Sequence, residues 1–270
     1  MIELKSITAG YNKVEIIKNI NLIFDKGSIT SIIGKNGCGK TTLLRTASNF
    51  LKPFRGKITI GEKDITEIPS KELAKSISFL PQLRAVPNIT VYNLVMYGRY
   101  PYLGFSRIPQ AEDNEIVKSA IDTMGLHKYA DKNTAELSGG QLQKVYLAMV
   151  WAQDTNIIFL DEPTTYLDIN HQLEILEIIQ KLREMGKTIV MVLHDLSNAL
   201  SYSDKVCLME NGEVIIYDTP QAVFDSKEID KIFKVYSKQV IIGVEGVKQY
   251  VFYLQQKLPP ACYQANEAMI

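Results

Sequence analysis

A glycine-rich loop followed by lysine and threonine constrains this chain most. Residues 34–41 read Gly-Lys-Asn-Gly-Cys-Gly-Lys-Thr and match the pattern G-x-x-x-x-G-K-[ST]. Ser28–Ile33 before the loop has a strand pattern, and Thr41–Phe50 after it has a helix pattern. In such a unit the backbone N–H groups converge on a phosphate at the helix N-terminus. The motif therefore predicts a phosphate-binding loop, here called the phosphate loop, in preference to a glycine turn with an incidental lysine.

The residue types in the phosphate loop predict separate tasks. Lys40 can neutralise the charge of the β- and γ-phosphates, and the hydroxyl of Thr41 can be offered to Mg²⁺. ATP and Mg²⁺ are therefore the expected cofactors. The predicted nucleotide contacts in and beside the loop are Gly34, Asn36, Gly37, Cys38, Gly39, Lys40, Thr41 and Thr42.

The periodicity along the chain predicts an α/β fold with a parallel sheet, because strands and helices alternate on both sides of a helical stretch. Between Ile2 and Ile33 we expect two or three antiparallel strands, and Asn211-Gly212 predicts a hairpin within Cys207–Tyr217. Further strands are expected at Lys57–Ile60, Ile77–Leu80, Asn156–Leu160, Thr188–Leu193 and, as two short strands, within Gln239–Leu254; helices are expected at Pro69–Lys75, Thr90–Tyr97, Ala111–Met124, Leu142–Gln153, Ile169–Glu184 and after His194.

These elements predict three regions. Residues 1–86 and 154–236 would form the nucleotide-binding core with an antiparallel β-subdomain, and residues 87–153 an inserted helical lobe. Residues 237–270 would be a short C-terminal extension, with no predicted element in the tail from Pro259 to Ile270.

Charge and cysteine usage exclude several classes of protein. Thirty basic and thirty acidic residues give a formal net charge of zero, which argues against a nucleic-acid partner. Cys38, Cys207 and Cys262 are scattered without metal-ligand spacing, so neither disulfides nor a zinc site are expected, and a reducing compartment is indicated. The N-terminus lacks a secretion signal, and no apolar run approaches the roughly 20 residues of a membrane-spanning helix. We therefore expect a protein inside the cell.

Two carboxylates end a buried strand further along the chain. Ile157–Leu160 is wholly apolar, as in a central parallel strand, and Asp161 and Glu162 follow it. Asp161 at this edge can bind Mg²⁺ through water, and Glu162 can polarise the attacking water. A structural pair of carboxylates is the alternative, and the phosphate loop earlier in the same sheet favours the catalytic interpretation.

Two more polar residues follow predicted strands, and alone they are ambiguous. His194 comes after Ile189–Leu193, where open α/β sheets place ligands, but taken alone it would by default be interpreted as a polar cap of the next helix. Gln82 ends the strand Ile77–Leu80 and could be an ordinary loop residue.

A second glycine-rich helix entrance, Leu137-Ser138-Gly139-Gly140-Gln141, makes the resemblance to a family specific. We call it the signature turn, and alone it could be a flexible helix cap or an anion site. Together with the phosphate loop and the carboxylates it resembles the ATP-binding-cassette (ABC) proteins, over about Ile2 to Thr219. The fold implied is a P-loop NTPase core, RecA-like, with a mixed sheet, an antiparallel β-subdomain and an inserted α-helical lobe.

The resemblance implies roles for particular residues. Tyr11 would stack on adenine, Gln82 would reach Mg²⁺ and relay to a partner, and His194 would contact the γ-phosphate. Asp168, after Leu167, would touch another subunit. Ser138, Gly139, Gly140 and Gln141 would bind the nucleotide of a second copy, so that a homodimer encloses two ATP molecules. With Lys40 and Glu162, the expected catalytic residues are Gln82 and His194; the expected Mg²⁺ ligands are Thr41, Gln82 and Asp161.

Two segments are similar to the importers of iron–siderophores, haem and cobalamin. They are 95–102, Val-Met-Tyr-Gly-Arg-Tyr-Pro-Tyr, and the stretch from Ala152 through Asp168 to Gln172. This branch implies a cytoplasmic ATPase on the inner face of the membrane, with integral permease subunits and indirectly an extracytoplasmic substrate-binding protein. Tyr97, Arg99, Tyr100 and Tyr102 would contact the permease or merely pack on the surface.

A soluble assembly-factor ATPase, as in iron–sulfur cluster biogenesis, is the alternative function. The chain also departs from the family pattern at Lys35, Cys38, Leu142 and Lys144, none of which removes a catalytic group. A thiol at Cys38 beside the phosphates predicts sensitivity to alkylation.

Overall fold

The computed structural model describes residues 1–82, 86–242 and 247–254. Its strands are β1 (Ile2–Tyr11), β2 (Val14–Phe24), β3 (Ile29–Gly34), β4 (Arg55–Ile60), β5 (Lys63–Asp64), β6 (Ile77–Leu80), β7 (Ile157–Asp161), β8 (Thr188–Val192), β9 (Lys205–Glu210), β10 (Glu213–Asp218), β11 (Val235–Ile242) and β12 (Val247–Leu254). Its α-helices are α1 (Lys40–Ala47), α2 (Ser70–Ser76), α3 (Val91–Met96), α4 (Ala111–Thr123), α5 (Gly139–Gln153), α6 (Ile169–Glu184), α7 (Leu196–Tyr202), α8 (Pro220–Asp225) and α9 (Glu228–Phe233).

The central sheet has six strands in the order β10-β9-β3-β8-β7-β6. Strands β9, β3, β8, β7 and β6 are parallel, and β10 pairs antiparallel with β9 across the Asn211-Gly212 turn. The carboxyl ends of β3, β6, β7 and β8 therefore meet at one edge, and the phosphate loop, Gln82, Glu162 and His194 all follow that edge. The predicted mixed α/β fold is confirmed.

The central strands β3, β7 and β8 of this sheet are buried along their whole length, which explains why β7 and β8 read as nearly unbroken apolar runs. Ile29 and Ile33 pack into the core that most of the helices cover. Ile32, between them, faces a second core beneath α1 and the smaller sheet. Phe24 and Phe159 meet edge-on in that second core, with ring centroids 6.5 Å apart.

The smaller sheet has the order β2-β1-β4-β5 and is antiparallel. The prediction of two or three antiparallel strands before the phosphate loop is therefore confirmed for β1 and β2 but wrong for the third strand, Ser28–Ile33. Strand β3 pairs in parallel with β8 and β9 instead. All six residues of β3 are buried between the two faces of the central sheet, whereas β1 and β2 have both buried and exposed side chains.

Several element ends differ from the sequence predictions for local reasons. Helix α1 ends at Ala47 rather than Phe50, because Asn49 adopts a left-handed conformation with φ of 64°. Helix α5 begins at Gly139 rather than Leu142, because Ser138 and Gln141 form a reciprocal capping box.

The region after Thr219 contains elements that the sequence did not predict. Helices α8 and α9 follow β10, and β11 and β12 form a separate antiparallel hairpin with longer strands than expected. Tyr250 in β12 is buried against Phe224. The tail from Pro259 to Ile270 lies outside the described residues. Across the residues that are described, no helix is both long and apolar enough to cross a membrane.

Candidate functional site

The phosphate loop joins β3 directly to α1, as its sequence predicts. The ammonium group of Lys40 is buried and donates hydrogen bonds to the carbonyl oxygens of Gly34, at 2.8 Å, and Lys35, at 3.0 Å. The backbone N–H of Cys38 also donates to the Lys35 carbonyl, at 3.3 Å. These bonds bend the chain around Lys40 and hold its positive charge at the N-terminus of α1, where an anion is favoured.

The turn between β9 and β10 supports the phosphate loop from outside. The backbone N–H of Gly212 donates to the Cys38 carbonyl, at 3.1 Å, and the Gly212 carbonyl accepts from the backbone N–H of Lys18, at 2.9 Å. The turn therefore links the loop to β2. Cys38 shares its apolar surroundings with Cys207 of β9. Both thiols are free and buried.

The Cys38 side chain does not project toward the nucleotide side of the loop. Its residue is 6% exposed and packs in the core beneath α1. Burial raises the pKa of the Cys38 thiol, and the nearby Lys40 charge offsets this only in part. The sequence predicted that this thiol lies beside the phosphates, but the structure places it beneath the loop, in that core.

Asp161 lies at the end of β7, under the first turn of α1. Its Oδ1 accepts a hydrogen bond from the Thr41 hydroxyl, at 3.0 Å, while Oδ2 is buried without a hydrogen-bond partner. Burial raises the pKa of the Asp161 carboxyl, and the Thr41 hydroxyl partly opposes that effect. An unsatisfied carboxylate oxygen next to a threonine hydroxyl is a donor set suited to a hard cation.

Glu162 occupies the centre of the site. One carboxylate oxygen accepts hydrogen bonds from the Gln82 amide and, at 3.0 Å, from the Thr165 hydroxyl, and the other oxygen contacts Nε2 of His194. Because an ionised carboxylate only accepts, Nε2 of His194 carries a proton in this contact. The backbone of Glu162 has φ of 53°, a conformation that costs on the order of 1–3 kcal/mol in a residue other than glycine. Such strain is concentrated at functional sites.

A cavity of about 570 Å³ unites most of the predicted residues. It is lined by Tyr11, Ile16, Asn36, Gly37, Gly39, Lys40, Thr41, Thr42, Gln82, Glu162, Thr165, Tyr166 and His194. Thr165, Ile16 and Tyr166 were not predicted. The signal for Thr165 was its place three residues after Glu162, within reach of that carboxylate. Ile16 has no comparable signal, since it joins the cavity only through the packing of β2.

Several predicted residues lie elsewhere. Gly34, Cys38 and Asp161 are beneath the cavity, in contact with residues that line it. The signature turn and Asp168 do not line the cavity of their own chain. Asp168 caps α6 by accepting from the backbone N–H of His171, at 2.9 Å. The helix after His194 is capped by Asp195, so the capping interpretation of His194 is wrong.

The tyrosine-rich segment is divided between the surface and the interior. Tyr97 and Tyr100 are exposed and their rings lie 4.7 Å apart. Arg99 is buried, and its guanidinium donates hydrogen bonds to the Asp113 carboxylate, at 2.9 Å, and to the Ala152 carbonyl, at 3.0 Å. The guanidinium also stacks on the ring of Tyr102. The interpretation of Arg99 as a surface contact is therefore wrong, because its charge is satisfied inside the helical region.

The comparisons with known proteins identify the family. A family model described as "ABC transporter" matches residues 17–165, more than half of the chain. The chain belongs to the ABC transporter family. It is accordingly an ABC-type ATPase and binds nucleotide.

Its relatives share most of their length with it. The petrobactin import ATP-binding protein FpuD of Bacillus anthracis is 41% identical over 236 residues, which cover 87% of this chain and 86% of that protein. The iron(3+)-hydroxamate import ATP-binding protein FhuC of Bacillus subtilis is 41% identical over 229 residues, covering 84% and 85%. A solved dimeric structure of an ABC cassette in a post-hydrolysis state, bound to ADP and phosphate, superposes with a TM-score of 0.72 at 29% identity, covering 82% of this chain and 99% of that one.

Proposed function

We propose that this chain is the ATP-hydrolysing subunit of a membrane importer for iron–siderophore complexes. The observation that carries the cargo class is that two relatives, matched over more than four fifths of the chain, are named for petrobactin and iron(3+)-hydroxamate import. A soluble assembly-factor ATPase is not favoured, since both are import proteins.

The geometry around Glu162 supports a general-base mechanism. Gln82, Thr165 and His194 all contact its carboxylate, which fixes the carboxylate at the mouth of the cavity that Lys40 and Thr41 also line. A water held by Glu162 would be oriented for attack on the terminal phosphate, and the N–H at Nε2 of His194 would turn from Glu162 to that phosphate when ATP binds. Tyr11, 40% exposed at the end of β1, provides a ring for the adenine.

Asp161 and Thr41 fit a bound Mg²⁺. The buried Oδ2 of Asp161 lacks a hydrogen-bond partner and lies on the same carboxylate that the Thr41 hydroxyl contacts. Thr41, Asp161 and Gln82 would hold the ion, which when bound would neutralise phosphate charge. No cluster of three or more His, Cys, Asp or Glu suited to a metal occurs in the described part of the chain.

We propose that the working form is a homodimer with two ATP molecules at the interface. The signature turn lies outside the cavity of its own chain, yet its first helical turn has exposed backbone donors suited to an anion. A second copy would bring Ser138, Gly139, Gly140 and Gln141 to the nucleotide, and Asp168 to the interface. The dimeric relative supports this arrangement.

The remaining partners follow from the same proposal. Residues 1–86 and 154–236 would be the nucleotide-binding core, 87–153 the helical lobe and 237–270 the extension. Tyr97, Tyr100 and Phe105 present exposed rings that a permease subunit would cover, so the chain would lie on the cytoplasmic face of the membrane. An extracytoplasmic substrate-binding protein would act through the permease, and no nucleic acid would be involved.

One experiment tests both the chemistry and the cargo. A strain lacking this chain is complemented with the natural sequence or with Glu162→Gln, and uptake of radioactive iron is measured with petrobactin, a hydroxamate, haem iron and radiolabelled cobalamin. We expect uptake of an iron–siderophore with the natural chain only, and ATP turnover of purified Glu162→Gln reduced by at least about 100-fold. Rapid ATP turnover by Glu162→Gln would refute the assignment of Glu162 as the general base. Uptake confined to haem or cobalamin would refute iron–siderophore complexes as the cargo.

A further inference from the structure

The two glycines of the signature turn have different surroundings. Among the described residues, a Cβ at Gly139 would meet no atom within 4 Å. A Cβ at Gly140 would lie 2.7 Å from Cδ2 and 2.9 Å from Cγ of His171 in the same chain. Such distances are far inside van der Waals contact, so the imidazole ring occupies the space that a side chain at residue 140 would need. Gly139 stays open for a ligand, whereas Gly140 is covered by His171.

Asp168 fixes the orientation of that ring. Nδ1 of His171 lies 2.9 Å from both carboxylate oxygens of Asp168, and the His171 backbone N–H donates to Oδ1 at 2.9 Å. Those two interactions, the backbone one first, lower the pKa of the Asp168 carboxyl. Because an ionised carboxylate only accepts, Nδ1 carries the proton. His171 thus touches the signature turn with one edge of its ring and the Asp168 loop with the other.

The contact continues along the two helices that start here. One turn beyond Gly140 and His171, Lys144 of α5 and Glu174 of α6 form an ion pair at 2.6 Å. Gln143, buried on α5, donates to the carbonyl oxygen of Pro163 in the loop that leads to Asp168. The beginning of α5 is therefore joined to the first turns of α6 through His171 and Glu174, and to the loop before α6 through Pro163.

We propose that His171 is a positioning residue, which holds the signature turn and Asp168 at a fixed separation so that a second copy meets both as one surface. This inference rests on the proposed homodimer. The ring takes no part in the reaction itself. It acts by keeping Ser138 and the backbone N–H of Gly139 where the partner's nucleotide must arrive, and small displacements at such a contact cost large factors in rate.

The test measures dimer formation separately from nucleotide binding. In a Glu162→Gln background, ATP-dependent dimerisation is followed by analytical ultracentrifugation, and ATP binding to the dilute monomer is followed with a fluorescent analogue. We expect His171→Ala to weaken dimerisation about tenfold, as for residues in direct contact, and to leave monomer binding unchanged. His171→Asn, whose amide can still donate to Asp168, should recover part of the loss.

A double substitution identifies what requires glycine at residue 140. Gly140→Ala should weaken dimerisation about tenfold when the imidazole is present, because its methyl group meets the ring, and should add little when combined with His171→Ala. Equal weakening by Gly140→Ala in both backgrounds would overturn the proposal, since the nucleotide or the second copy would then require the glycine.

A matched control and the parent variant separate the possible failures. His127→Ala removes a similar exposed pair, in which Nδ1 lies 3.2 Å from Oδ1 of Asp122, and should change neither measurement. If Glu162→Gln dimerises with ATP but His171→Ala has no effect, only the positioning role fails. If Glu162→Gln stays monomeric with ATP, the proposed dimer fails and the positioning role fails with it.

Discussion

The turn at Gly212 offers a test of how far the stability of the phosphate loop depends on a distant hairpin. Gly212 has φ of 84°, and a Cβ there would lie 2.1 Å from the carbonyl oxygen of Ile16. Because that oxygen belongs to the backbone of β2, Gly212→Ala must displace the turn. The displacement breaks or stretches the hydrogen bonds that Gly212 makes with Cys38, at 3.1 Å, and Lys18, at 2.9 Å.

Gly186 provides the matched control. It has φ of 82°, and within the described structure a Cβ there would meet nothing within 4 Å. Gly186→Ala should therefore lower the free energy of unfolding only by the cost of placing Ala in the left-handed conformation, about 1–2 kcal/mol. Gly212→Ala bears the same cost and loses two hydrogen bonds worth about 1 kcal/mol each, which gives about 3–4 kcal/mol.

The assay is urea unfolding of both variants, followed by ATP binding under conditions in which each is folded. We expect equal slopes against urea, a lower midpoint for Gly212→Ala, and an ATP affinity reduced by about 5- to 10-fold for Gly212→Ala alone. If Gly212→Ala is no less stable than Gly186→Ala, or if both lose ATP affinity equally, the hairpin does not support the loop and the reasoning is refuted.

Two further predictions concern titratable groups. Burial raises the pKa of the Asp113 carboxyl, but the Gln110 backbone N–H and the Arg99 guanidinium together bring this pKa below its ordinary value. The ionised carboxylate therefore stabilises the fold above about pH 4, and this stabilisation is lost as the pH falls further. Asp113→Asn should thus cost about 3–5 kcal/mol at pH 7 and progressively less below pH 4 in urea unfolding, and a constant difference would contradict this. Burial also raises the pKa of Cys38, so alkylation should inactivate the ATPase slowly at pH 7 and faster as the pH approaches 9; inactivation that Cys38→Ala does not prevent would exclude this thiol.

Features whose signal is local in the sequence were predicted well. The phosphate loop, the Asn211-Gly212 hairpin and the helix Ile169–Glu184 each depend on a short pattern of residue types, and the structure has all three. The edge of the sheet was also predictable, because parallel strands place their carboxyl ends together. Gln82, Glu162 and His194 each follow a strand, and the structure brings their side chains into contact.

Features that depend on long-range packing were not predictable. Arg99 read as a surface residue because its partners, Asp113 and the Ala152 carbonyl, lie 14 and 53 residues away. Strand β3 read as a continuation of β1 and β2, although its partners β8 and β9 lie more than 150 residues further along the chain. The weak apolar pattern after Pro220 did not predict α8 and α9, which pack against β9, β10, β11 and α7.

The residue types and their spacing were enough to predict a loop for phosphates, carboxylates at the end of a buried strand, and a second glycine-rich turn, because each of these signals lies within a few neighbouring residues. Which of these groups touch one another depends on the folded chain. The contacts of Gly140 with His171, Gly212 with Cys38, and Thr165 with Glu162 all depend on distances that the folded chain sets.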